Sequence, residues 1–152
     1  FLGFNAEEIT EYPEQELGVS IPYRRDDALL TAYIYDNGLE PFPELVTDEP
    51  ALIHFDQITS DVFEAQRQGI YHDVQLISRF SLDDNMGRVD WLCSMFELRF
   101  PSWESPGNSI SCLAVSCWNF LKIRMSSNAM SQESFEALAL RVTAIFAQSA
   151  GL

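Results

Sequence analysis

Apolar side chains stand on both faces of the segment from Arg88 to Phe100. Leu92, Phe96, Leu98 and Phe100 fall on one side of a two-residue period, and Val89, Trp91, Cys93 and Met95 on the other. A strand of that pattern is shut off from water on both sides, so it predicts a central place in a sheet with cover on each face.

The flanking sequence supplies both the sheet and its cover. Val74, Leu76, Ser78, Phe80 and Leu82 predict one face of a neighbouring strand, with Gln75, Arg79 and Ser81 opposite, and Ile110 to Cys117 and Phe120 to Ser126 predict two more strands about a turn at Trp118-Asn119. A single long strand over 110–126 is the alternative. Upstream, Val19, Ile21 and Tyr23 alternate with polar or small residues, Arg24 to Asp27 has turn chemistry, and Leu29 to Asp36 is β-rich, which together predict a hairpin ended by Asn37-Gly38. Phe1 to Gly18, broken by Pro13, reads as a packed arm. Phe55, Ile58, Val62 and Ala65 recur at helical spacing and predict a helix over 49–68, with Thr47 as hydroxyl cap and Gly69 as stop. Ser131 predicts the cap of a second helix, whose stripe is Phe135, Leu138, Val142, Ile145 and Phe146. The expected fold is therefore one α+β domain over residues 1–152, with an antiparallel β-sheet packed against two amphipathic helices and an α/β/α sandwich favoured.

Charge narrows the partners. The 152 residues carry a net charge of −14, and the first fifty hold twelve acids against two bases, Arg24 and Arg25. Such a field repels the phosphates of nucleic acid and of anionic membranes, and no apolar run is long enough to span a bilayer. Neither nucleic acid nor membrane insertion is expected, and the excess acid reads as an aid to solubility. The chain begins at Phe1 and not at Met, from which an upstream segment is expected, either a removed export signal or a stretch trimmed away.

Tests for chemistry return little. His54 and His72 are eighteen residues apart, roughly 27 Å on a continuous helix, too far to share a metal, and they read as surface or helix-end histidines. Cys93, Cys112 and Cys117 cannot all pair within one chain; three buried thiols are expected ahead of a cross-strand disulfide from Cys93. Asp83, Asn85 and Gly87 alternate as in a calcium loop, but the sixth-position glycine and the closing glutamate are missing and a hairpin turn accounts for them. The acids from Glu7 to Glu16 sit in a polar, solvated arm. No phosphate-loop, dinucleotide, nucleophile-elbow or zinc-protease pattern occurs, so no catalytic residue, metal or cofactor is expected.

A surface reading remains. Phe120, Lys122 and Arg124 share one strand face and Leu121, Ile123 and Met125 the other, and Lys122 is the only lysine. The basic pair fits an anion or partner site; pairing with acids such as Glu97 on the outer face of the sheet is the expected alternative. Tyr33 and Tyr35 likewise share a face. Tyr33, Tyr35, Trp118, Lys122 and Arg124 form the candidate interaction surface of a non-enzymatic binding or protein-interaction module, whose partner would be a protein or a small ligand. An enzyme or small-ligand carrier with a pocket between sheet and helices is the second expectation.

Four stretches, three near the start of the chain and one towards its end, carry a resemblance. Leu2-Gly3-Phe4 through Tyr12, Leu17 to Tyr23 and Thr31 to Gly38, together with Phe120 to Arg124, resemble a family of bacterial domains of unknown function that are often made with an export signal. That resemblance implies an exported bacterial protein and no assigned activity. The order of strands and helices is also similar to that of the PsbP family, which implies an α/β/α sandwich used as a binding module.

Overall fold

Among the described residues the strand periods become one eight-stranded antiparallel sheet. A computed structural model describes residues 1–84 and 86–152. In chain order the elements are β1 (Asn5–Ala6), β2 (Thr10–Glu11), β3 (Val19–Arg25), β4 (Ala28–Tyr35), α1 (Glu49–Arg67), β5 (His72–Asp83), β6 (Val89–Arg99), β7 (Gly107–Ser116), β8 (Asn119–Ser127) and α2 (Gln132–Ser149). The sheet runs β1-β3-β4-β8-β7-β6-β5, with β2 also paired to β3.

Register decides which side chains share a face. Tyr35, Phe120 and Val115 lie opposite one another across β4, β8 and β7, and Leu113 faces Leu92; on the other side Ala32, Ile123, Cys112 and Cys93 form a continuous row. The helices divide accordingly. Ala51, Phe55 and Ile58 of α1 pack with Tyr35, Leu113, Val115 and Phe120, and Val62 with Phe96 and Leu98. Phe135, Leu138, Ala139 and Val142 of α2 pack with Cys93, Met95, Cys112 and Ile123. One helix on each face gives the α/β/α arrangement that the two-sided strand required, and β6 is indeed covered on both sides.

Several boundaries differ from the sequence expectation. The arm is not merely packed: β1 and β2 bond to β3, and Gly18 turns the chain at φ +61, where a Cβ would stand 1.9 Å from the Ile34 carbonyl oxygen. Thr47 is not the cap of α1. Asp48 holds that position, and its Oδ2 accepts from the backbone N–H groups of Glu44 and Leu45, tying down the loop before the helix. Gly69 does end the helix, at φ +77, with the Ile70 N–H reaching back to Ala65 O. Ser131 caps α2 by accepting from the Ser134 N–H.

The largest correction concerns β5. Its apolar residues do not share one face, because a register shift between Leu76 and Ser78 inserts Ile77 into the ladder. Val74 packs with Val62 and Phe96 on the α1 side, whereas Phe80 and Leu82 join the α2 side. A one-residue slip exchanges the faces of everything beyond it. The expected turn at Trp118-Asn119 lies one residue earlier, with Cys117 and Trp118 at φ +45 and +69. The cysteines are not three buried thiols: Cys93 and Cys112, directly opposed across β6 and β7, are joined in a disulfide, and Cys117 is free and exposed. The calcium-loop reading involves Asn85, which lies outside the described residues.

Candidate functional site

Alternation along β8 sends Phe120, Lys122 and Arg124 to the α1 face. The ladder sets Tyr35, Tyr33 and Thr31 of β4 beside them on one flank and Val115, Leu113 and Ser111 of β7 on the other. The packing partners of α1 lie on β5, β6 and β7, at the Phe120 end of β8 and at the Tyr35 end of β4. Beyond the helix, Thr31, Tyr33, Lys122 and Arg124 are half-buried, and Leu29 is 37% exposed. The result is a strip of sheet surface over β3, β4 and β8, walled by the helix.

Lys122 Nζ stands 4.3 Å from the centre of the Tyr33 ring and 5.6 Å from that of Tyr35, close enough for cation–π attraction to both. Burial pushes its ammonium down to about 8, and the neighbouring Arg124 charge adds to that, with Asp61 opposing. Arg124 Nη1 donates to the Tyr71 hydroxyl at 3.1 Å. The expected pairing with Glu97 does not occur: Glu97 neighbours Phe96, which packs under α1, and therefore points to the opposite face from Lys122. Arg24, Arg25, Arg67, Arg79, Arg88 and Arg99 each meet an acid. Among the described residues, Lys122 and Arg124 make no ion pair.

His54 is not a surface histidine. It lies half-buried on the flank of the α1 stripe, with its ring 4.7 Å from Phe120 and its Nε2 2.6 Å from the Tyr35 hydroxyl. Burial, then the Lys122 charge, hold its pKa down to about 4, so the imidazole is neutral at pH 7 and the Tyr35 O–H donates to Nε2. Burial raises the Tyr35 hydroxyl, which stays protonated. Because folded His54 resists protonation, the unfolded chain binds more protons between about pH 6.5 and 4, and stability falls as pH drops through that window. In His54→Gln, which keeps an acceptor for Tyr35, thermal midpoints measured from pH 7 to 4 are expected to decline less steeply than in the wild type. Parallel curves would show that His54 is not the group responsible.

Of the five residues singled out in the sequence, the structure brings Tyr33, Tyr35, Lys122 and Arg124 together. It leaves Trp118 apart, 76% exposed at the β7–β8 tip between two clefts of about 320 and 530 Å³. His54, Tyr71 and Ser111 join the site unannounced. For His54 the signal was present, since it stands three residues after Ala51 and four before Ile58 on the buried stripe. No hydrogen bond links His54 to a cysteine or carboxylate among the described residues, and no group of three or more His, Cys, Asp or Glu there could hold a metal ion. No described helix is long and apolar enough to cross a membrane. Compared with protein-family models, with curated proteins and with solved structures, the chain finds no match.

Proposed function

We propose that the protein is a non-enzymatic binding or interaction module whose recognition surface is the strip over β3, β4 and β8. The observation that carries this reading is the pair of half-buried cations, Lys122 and Arg124, without an acid partner among the described residues of a chain with 23 acids and 9 bases. Where acid is so abundant, cations left unpaired in a partly desolvated place favour a ligand that supplies the missing charge. The neutral, tyrosine-bound His54 supports a positioning role and not proton transfer. The disulfide supports work in an oxidising compartment, in keeping with export.

Short peptides selected from a display library against the wild type test the surface. Their affinity is expected to drop at least about tenfold in Lys122→Gln/Arg124→Gln and to survive in Arg141→Gln, which alters an exposed cation on α2. Peptides that bind the double variant as well as the wild type would remove the strip from consideration.

A further inference from the structure

The chemistry of the strip narrows what it takes, on the basis of the reading just given. Its polar groups are mostly donors: the Lys122 ammonium, the Arg124 guanidinium and the hydroxyls of Tyr71 and Ser111. Arg124 already donates one N–H to the Tyr71 oxygen, which fixes the plane of the guanidinium and leaves the Tyr71 proton free to be given elsewhere. Ser111 adds an independent observation. Directly opposite Arg124 in the ladder and on the same face, it is 1% exposed, and its Oγ has no hydrogen-bond partner among the described residues. A buried hydroxyl left without a partner, opposite a guanidinium that meets no acid among the described residues, is a polar deficit that a ligand would complete.

Charge selects the kind of anion. Lys122 and Arg124 supply two positive charges, and the Asp61 carboxylate acts on Lys122 in the opposite sense, so a single negative charge balances the site more closely than a double one. A phosphate dianion overshoots that balance and enters against a net charge of −14. The planar two-nitrogen edge of a guanidinium matches the two oxygens of a carboxylate. We propose that Lys122 and Arg124, together with the Ser111 hydroxyl, form a binding site for a single carboxylate group.

The groups facing Lys122 are Arg124 on its own strand, Tyr33 and Tyr35 on β4, and Asp61 and His54 on α1. Of these, His54 and both tyrosines are neutral at pH 7 to 9, so in that range the charge of the site varies mainly through Lys122, which is lost as pH rises through about 8. Carboxylate binding at pH 9 is accordingly weaker than at pH 7, and binding raises the Lys122 pKa.

Backbone amide shifts of the full chain, followed in low salt during titration with benzoate, benzamide and inorganic phosphate, test the assignment. Saturable shifts at Ser111, Lys122 and Arg124 are expected with benzoate. Affinity is expected to be at least about tenfold weaker for benzamide and for Arg124→Gln, intermediate in Arg124→Lys, and reduced in Ser111→Ala. Because variants can fold poorly, the wild type is also compared at pH 7 and 9, where the affinity for benzoate should fall severalfold. A pentapeptide with a free C-terminus binding better than its amide would identify a chain end as the source, whereas benzoate binding with indifferent peptides would identify a free acid; either supports the site. Equal binding of benzamide, or tighter binding of phosphate, would overturn the carboxylate assignment while leaving the peptide-selected surface standing. Loss of that surface in the display experiment, with benzoate still bound, would do the reverse.

Discussion

Replacing Phe120 with alanine is expected to cost about 3–5 kcal/mol of stability. The side chain is 0% exposed and is the floor on which three rings stand: Phe42 at 4.9 Å, Tyr35 at 5.6 Å and His54 at 4.7 Å between centroids. Truncation removes transfer free energy and opens a space that rings held by a strand, a loop and a helix cannot easily close. A domain of this size is stable by roughly 5–15 kcal/mol, so the loss is a large fraction of the whole. The urea midpoint should fall with an unchanged slope, and the thermal midpoint by about 10 °C. Because the same ring supports His54 and Tyr35, the pH dependence assigned to His54 should weaken as well. A loss under about 1 kcal/mol would show that the cluster collapses freely and holds nothing in place.

Alanine at both Cys93 and Cys112 is expected to cost about 2–4 kcal/mol. The bond closes a loop of nineteen residues between adjacent strands and restricts the unfolded chain by that amount. Both side chains are buried between the sheet and α2, so the change also empties space beside Met95 and Ile123. The preceding check is chemical: the unfolded, unreduced protein should titrate one thiol, Cys117, and three after reduction. Three thiols without reduction would abolish the cross-link and the stabilisation attributed to it.

Elements with strong local signals were legible in the sequence. Ser131 and a regular stripe announced α2, and the two apolar faces of β6 announced a covered strand. The side exchange in β5 was not legible, since the extra residue is Ile77, with neither glycine nor proline to mark it. The turn at Cys117-Trp118 was displaced for a similar reason: both residues adopt positive φ without the Asn-Gly chemistry that such a loop favours. Lys122 drew notice as the lone lysine, but its lack of an acid partner among the described residues depended on register. Glu97 stands two strands away and on the far face, a fact set by strand pairing and not by composition. Tyr71 reaches Arg124 across 53 residues, and no local pattern encodes that contact.

The two margins of the sheet differ in construction. On one side the acid-rich arm lays β1 and β2 along β3, occupying backbone groups that another chain would seek. On the other, β5 runs for twelve residues with three register irregularities, which bend the outer row of N–H and C=O groups out of line. A flat, unguarded margin would be a template on which successive molecules add strands. Here one border is occupied and the other crooked, two features that oppose edge-to-edge growth of a cross-β fibre in a protein nearly half hydrophobic in composition.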